Sequence, residues 1–152
     1  MNATDIIQSQ MLAALDMLKQ AIVKCPAGLW NLPGEMEECW RKAYHALYYA
    51  HLYLQKSEQH FMPWEKHHEP DNGAAFSQAE VLEYLTFVQQ QVAVLVPTLD
   101  LNAPSGFDWL PFNKLELQFY NIRHIQQHAG ELYERLGQSN IDLNWVSSAP
   151  TQ

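Results

Sequence analysis

Basic residues are scarce in this 152-residue chain, which has 9 Lys and Arg against 17 Asp and Glu and a formal net charge of -8. The basic residues also form no cluster along the sequence. Because binding to a phosphate backbone needs such a cluster, nucleic acid is not an expected partner.

Cysteine is rarer still, since the chain contains only Cys25 and Cys39. Their spacing matches neither a redox pair nor a zinc-finger knuckle, and two cysteines do not make a disulfide framework. We interpret both as small packing residues that stay reduced, and assign neither a chemical role.

Long apolar runs are absent, and no stretch approaches the roughly 18 uninterrupted apolar residues of a membrane span. The first residues, Met-Asn-Ala-Thr-Asp, lack the basic and then apolar segments of a secretory signal, which favours a cytoplasmic protein. Hydrophobic residues nevertheless make up 47% of the chain, too many for a disordered sequence. The expectation is one soluble globular domain over residues 1–152, with the last few residues disordered.

Apolar residues recur at helical spacing in four segments, and no segment alternates with the two-residue period of a strand. The second segment is apolar or aromatic nearly all the way around, as expected of a central helix. The predicted fold is therefore all-α, a four-helix bundle with long connecting loops. The predicted helices run from Thr4 to about Lys24, from about Glu35 to Ser57, from Ser77 to Pro97, and from about Phe112 to Leu136.

The segment from Glu58 to Phe76 lacks sustained periodicity and is predicted to be a long loop, whose aromatic residues indicate that it packs onto the helices. Its histidines are interpreted as solvated loop residues and are not counted as metal ligands; they are His60, His67 and His68. The tail from Ile141 to Val146 is predicted to pack as an extended strap.

The most chemically specific pattern is His124-Ile-Gln-Gln-His128 in the fourth predicted helix. Two imidazoles four residues apart lie on one helix face, one turn apart, and form a ready pair of metal ligands. The alternative is one packed and one solvated polar residue. Both histidines lie beside the apolar face of this helix, so both need partners. A third histidine would complete a site that leaves one coordination position open, as in catalytic metal sites.

The second predicted helix offers two candidates for that third ligand, His45 and His51. Their six-residue offset turns them roughly 120° apart around the helix, so both cannot face one site. Spacing alone does not choose between them.

Two motifs and their order have a familiar pattern: Trp40-Arg-Lys-Ala-Tyr-His45-Ala-Leu-Tyr-Tyr in the second helix, and Tyr120-Asn-Ile-Arg-His124-Ile-Gln-Gln-His128-Ala-Gly-Glu-Leu132 in the fourth. The third helix lies between them, and the capping-box pattern Ser77-Gln-Ala-Glu80 predicts its start. Together these features resemble the DinB-like (YfiT-like) superfamily of four-helix-bundle metalloproteins over nearly the whole chain. The resemblance implies a metal bound by His45, His124 and His128, with His51 in a core or supporting role. Gln127 stands where relatives often have a histidine, which removes one candidate proton-transfer group.

The resemblance further implies a metal-dependent enzyme, since the superfamily includes transferases that use low-molecular-weight thiols such as bacillithiol or mycothiol, and maleylpyruvate isomerase-like enzymes. Imidazole ligands suit Zn, Ni or Fe(II), so the sequence does not name the ion. A divalent ion would lower the pKa of a water or thiol at the open position, which favours hydrolysis or thiol transfer on a small molecule. The alternatives are a non-enzymatic metal-binding or sensor bundle, and a bundle whose histidines bind no metal.

Supporting residues are left unassigned, and no residue is designated catalytic. Glu131 has the spacing either to orient an imidazole or to act as a base, and its ordinary alternative is a solvated carboxylate. Tyr48 and Tyr49 have the spacing to line a pocket, and their ordinary alternative is packed aromatic residues. A fourth ligand from the His67–His68 loop would close the site and favour a structural role. A homodimer is expected on the base rate of assemblies.

Overall fold

A computed structural model describes residues 2–32, 37–71 and 73–149 of the chain. Within these ranges the protein is all-helical and contains no β-strand, as the sequence predicts. No helix there combines the length and apolar character needed to cross a bilayer. The α-helices are α1 (Ala3–Lys24), α2 (Ala27–Trp30), α3 (Cys39–Leu52), α4 (Gln78–Leu95) and α5 (Lys114–Gly137), and two 3-10 helices cover Glu58–His60 and Val96–Thr98.

Side-chain caps fix where the long helices begin. The capping box predicted at Ser77 is present, because the Ser77 hydroxyl accepts the Glu80 N–H at 3.2 Å while the Glu80 carboxylate accepts the Ser77 N–H at 2.8 Å. Asn2 caps α1 by accepting the Asp5 N–H at 2.9 Å. Asn113 caps α5 by accepting the Glu116 N–H at 2.9 Å, so α5 begins at Lys114, two residues later than predicted.

The second predicted helix corresponds to α3, and its predicted bounds are wrong. Residues 35 and 36 lie outside the described residues, Glu37 and Glu38 precede the helix, and α3 ends at Leu52 rather than Ser57. The early end has a physical cause on α5. Asn121 donates to a carbonyl in the last turn of α3, and Gln118 and Lys114 donate to carbonyls just beyond it, which are then satisfied without further helix. These contacts are Asn121 Nδ2 to Ala50 O (3.2 Å), Gln118 Nε2 to Tyr53 O (3.0 Å) and Lys114 Nζ to Gln55 O (2.6 Å).

The four long helices share one hydrophobic core. α1 and α3 each pack against both α4 and α5, so α3 and α5 are direct neighbours. This arrangement brings the central aromatic helix against the helix that carries the paired histidines. The short α2, which the sequence analysis did not predict, buries Trp30 at the edge of the core.

The long connection between α3 and α4 packs onto the helices, as its aromatic residues indicated. Trp64 is buried and stacks on Tyr84, with ring centroids 4.8 Å apart. Phe76 is also buried and stacks on Tyr44 at 4.2 Å. The connection is therefore anchored to the helices at Trp64 and again at Phe76, just before α4.

The C-terminal tail packs as the extended strap that the sequence predicts. The Asn144 N–H donates to Gln20 Oε1 at 3.0 Å, and Lys24 Nζ donates to Asp142 O at 2.7 Å. Tyr133 on α5 donates its hydroxyl to Asn144 O at 3.0 Å. The strap thus joins α1 to α5, whereas the predicted disorder at residues 150–152 falls outside the described residues.

Candidate metal centre

Three imidazoles from two helices converge between α3 and α5. His124 and His128 lie one turn apart on α5, with their Nε2 atoms 3.0 Å apart. His45 reaches them from α3 and places its Nε2 atom 3.2 Å from that of His124. One nitrogen of each ring lies within 4.8 Å of the other two.

His51, the other candidate on the same helix, does not join this cluster. Its ring is buried, its Nδ1 lies 3.1 Å from the Tyr84 hydroxyl, and Phe61 and Phe87 pack edge-on against it. His45 and His51 therefore point to different surroundings, as their offset of roughly 120° around the helix predicts. The structure brings His45 to the α5 pair and leaves His51 in the core.

Two of the three nitrogen–nitrogen distances are close to those around a tetrahedral metal ion. Ligand nitrogens about 2.0–2.1 Å from such an ion lie roughly 3.3–3.4 Å from one another. The His45–His124 and His124–His128 distances are 3.2 and 3.0 Å, and the His45–His128 pair lies within 4.8 Å. If His124 Nε2 carries a proton, that N–H can donate to only one of the two neighbouring Nε2 atoms. Hydrogen bonds alone therefore do not pair all three nitrogens well. A cation would satisfy all three lone pairs together.

The protonation states of these rings suit metal binding. Burial, and after it the neighbouring His128 and His45, lowers the pKa of His124 to about 4. Burial, and after it His128, also lowers the pKa of His45. Both rings are therefore neutral near pH 7, which is the form that offers a lone pair to a metal.

Glu131 holds the third ring in place. Its Oε2 lies 3.0 Å from His128 Nδ1 and 2.5 Å from Lys42 Nζ. Burial raises the pKa of Glu131, but the hydrogen bonds from Lys42 and His128 outweigh that effect and bring it to about 2. The ionised carboxylate can only accept, so His128 carries its proton on Nδ1 and turns the Nε2 lone pair toward the cluster.

The sequence left three interpretations of Glu131 open, as an orienting residue, a base or a solvated carboxylate. The contact with the His128 imidazole contradicts the last of these. Lys42, whose side chain crosses from α3 to α5, was missed. Nothing in the sequence around Lys42 indicates a contact with Glu131, which lies 89 positions further along the chain.

A cavity of about 390 Å³ opens beside His45. Tyr48 and Tyr49 line it, and the Tyr49 ring lies 4.8 Å from that of His45 and 5.6 Å from that of His124. The remaining lining residues are Glu37, Arg41, Tyr44, His67, Glu69, Pro70 and Asp71. Of the three clustered histidines the lining includes His45, so a small molecule in the cavity would meet the cluster from the α3 side.

His67 is part of the cavity wall, so its interpretation as a solvated loop residue is wrong. Its side chain is 15% exposed, its Nδ1 lies 2.5 Å from the Tyr44 hydroxyl, and its ring packs on Tyr48 with centroids 5.2 Å apart. The anchoring of the loop by Trp64 and Phe76, which sequence periodicity does not reveal, places it there. The nitrogens of His67 are nevertheless not in the cluster, which within the described ranges contains three imidazoles and no fourth ligand.

Cys25 and Cys39 are both free and buried in the core, in agreement with their interpretation as packing residues. No protein-family model matches the chain, and no curated protein is significantly similar to it. The convergence of three imidazoles between α3 and α5 therefore carries the functional assignment.

Proposed function

We propose that this protein is a metal-dependent enzyme of the DinB-like (YfiT-like) four-helix-bundle superfamily. In this proposal His45, His124 and His128 bind one divalent transition metal, which is Zn, Ni or Fe. The convergence of their three nitrogens within 4.8 Å is the observation that carries the proposal. The packing of four long helices around one core, with the ligands on the adjacent α3 and α5, also supports it.

An open coordination position is central to the enzymatic assignment, because three protein ligands leave room for water or substrate. The His67–His68 loop packs near the cluster without adding a ligand, and the cavity beside His45 offers space for a small molecule. A bound ion would supply Lewis acidity and lower the pKa of a water or thiol at its open position. The reaction proposed is thiol transfer, with a low-molecular-weight thiol as co-substrate, or hydrolysis.

The surrounding side chains position the reacting groups. Glu131 fixes the His128 tautomer, and its ionised carboxylate is also paired with Lys42, so it would be a weak base. Tyr48, Tyr49 and His67 form the wall against which a substrate would lie. Aromatic walls of this kind exclude water from the bound molecule and restrict its orientation.

Metal analysis of protein purified without a histidine tag tests the proposal. We expect about one transition-metal ion per chain by inductively coupled plasma mass spectrometry after dialysis against the metal and then against metal-free buffer. Zn²⁺, Ni²⁺, Co²⁺ and anaerobic Fe²⁺ would each be supplied separately. A content well below one ion per chain with every metal would contradict the proposal.

A second candidate is a non-enzymatic metal-binding or sensor bundle. The distribution of the ligands over two helices favours this candidate, because an ion bound by both α3 and α5 would cross-link them. The Co(II)-loaded protein separates the two candidates. If the position is open, 2-mercaptoethanol should bind the ion and produce a sulfur-to-cobalt charge-transfer band, whereas a closed structural site should leave the spectrum unchanged.

A further inference from the structure

Three buried side-chain atoms without hydrogen-bond partners lie along α5. They are Gln118 Oε1, Asn121 Oδ1 and His124 Nδ1, and no other buried side-chain nitrogen or oxygen in residues 2–32, 37–71 and 73–149 lacks a partner. Neighbouring members of this series are three residues apart, so Asn121 adjoins both Gln118 and His124 on the helix surface, whereas Gln118 and His124 are turned roughly 120° from each other. Because buried polar atoms are nearly always paired, three unpaired atoms in succession call for an explanation.

The two amides are held firmly by their other ends. Asn121 is fully buried and donates Nδ2 to Ala50 O at 3.2 Å, and Gln118 donates Nε2 to Tyr53 O at 3.0 Å. Since a backbone carbonyl can only accept, the amide nitrogens must face α3, which leaves both carbonyl oxygens as free acceptors. Asn121 therefore keeps one strong acceptor in the core beside α5.

His124 needs such an acceptor when its Nε2 is a ligand. A neutral imidazole has a single N–H, so a metal at Nε2 leaves the proton on Nδ1, which is buried. Helix side chains lean toward the N-terminus, which directs the His124 ring over the preceding turn and Asn121. Asn121 is roughly 4.5 Å away along the helix axis and Gln118 roughly 9 Å, so Asn121 is the nearer acceptor. Asn121 Oδ1 and His124 Nδ1 are not hydrogen-bonded to each other in this structure, so the bond requires the His124 ring to shift.

We propose that Asn121 is the positioning residue for His124, accepting the Nδ1–H in its carbonyl oxygen when Nε2 binds the metal. This inference rests on the proposed function. α5 would then orient both of its own ligands. Glu131, one turn after His128, would orient His128, and Asn121, one turn before His124, would orient His124. Outer hydrogen bonds of this kind fix the tautomer of a ligating histidine and strengthen its metal binding.

Three variants separate positioning from general stability. Asn121→Leu removes the acceptor, Gln118→Leu removes an equivalent buried amide two turns from His124, and Asn121→Asp keeps an acceptor oxygen. Zn²⁺ affinity would be measured by competition with a chromogenic chelator, and folding stability of the metal-free proteins by urea denaturation. We expect Asn121→Leu to weaken Zn²⁺ binding by about 10- to 100-fold, and Gln118→Leu and Asn121→Asp to stay within about threefold of the wild type.

A direct readout on the wild type complements these variants, and keeps the inference testable if Asn121→Leu does not fold. In the Zn²⁺-loaded protein labelled with ¹⁵N-histidine, the His124 Nδ1–H should give a downfield, slowly exchanging signal that shifts in Asn121→Asp. Zn²⁺ binding by the wild type with equal losses in Asn121→Leu and Gln118→Leu, or without this signal, would overturn the role of Asn121 alone. Failure of the wild type to bind any metal would overturn the proposed function as well.

Discussion

His45 Nε2 lies 3.2 Å from His124 Nε2, although the two residues are 79 positions apart in the chain. The contact exists because α3 and α5 are neighbours, and because His45 and His124 face each other across their interface. The two histidines of α3 should consequently differ in what their loss does.

His45→Ala should abolish metal binding with a small effect on the stability of the metal-free protein, since the ring lines the cavity and is half-buried. His51→Ala should retain about one ion per chain and lose about 2 kcal/mol or more of stability, because it removes a buried ring and its Tyr84 contact. Metal content and urea denaturation measure the two effects. The reverse pattern would mean that His51 is the α3 ligand.

Stability of the metal-free protein should fall as the pH drops from 6.5 to about 4. Burial lowers the pKa of His51 from 6.5 to about 4, so in that window the unfolded chain binds a proton that the folded protein does not. Above pH 6.5 both states are neutral at this residue, and below pH 4 both are protonated. The contribution of His51 to the stability lost across the window is at most about 3 kcal/mol, at about 1.4 kcal/mol per pKa unit.

Comparison of variants separates the contribution of His51 to this pH dependence from the contributions of the other histidines. In EDTA-treated protein, His51→Leu should show a smaller loss of stability between pH 6.5 and 4 than the wild type. His60→Leu, at an exposed position, is the matched control and should follow the wild type. Parallel pH profiles for wild type and His51→Leu would show that His51 is protonated equally in the folded and unfolded states.

Glu131→Gln should weaken metal binding by about tenfold, because an amide orients His128 less strongly than a carboxylate does. It also leaves Lys42 without its carboxylate partner. Glu134→Gln, an exposed change one turn further along α5, provides the control and should leave the affinity unchanged. Chelator competition with Zn²⁺ measures both. Equal affinities for the two variants would rule out an orienting role for Glu131.

Trp64→Ala should cost about 3–5 kcal/mol of stability, because it removes the buried ring that stacks on Tyr84 and anchors the long loop. Trp145→Ala is the matched control, since that tryptophan is 72% exposed on the strap and its loss should stay within about 0.5 kcal/mol. Chemical denaturation monitored by far-UV circular dichroism measures both. Similar small losses would show that the loop is not anchored through Trp64.

Local patterns in the sequence predicted the parts of the fold that depend on near neighbours. The pairing of His124 and His128 follows from helix geometry alone, and the capping box at Ser77 from four adjacent residues. The third ligand needed the family resemblance, because nothing local distinguishes the environments of His45 and His51.

Features that depend on contacts between distant segments were not predictable in this way. Apolar and aromatic residues continue past Leu52, so periodicity alone extends the helix, whereas the carbonyls at its end are taken by side chains of α5. The residues around His67 have the composition of a solvated loop. His67 lies in the cavity wall because the buried side chains of Trp64 and Phe76 hold the loop against the helices. The Lys42–Glu131 pair likewise depends on how two helices face each other.

The side chains of Lys114, Gln118 and Asn121 also set the axial register between two helices, since each is bonded to a different carbonyl near the end of α3. A slip of α5 by one turn would move His124 by about 5.4 Å relative to His45. That displacement exceeds the 4.8 Å within which all three nitrogens lie. A single-residue insertion between Asn121 and His124 would instead turn the rest of α5 by about 100° relative to these three anchors. It should separate both α5 histidines from His45 and displace the buried side chains that follow, such as Ile125 and Ala129.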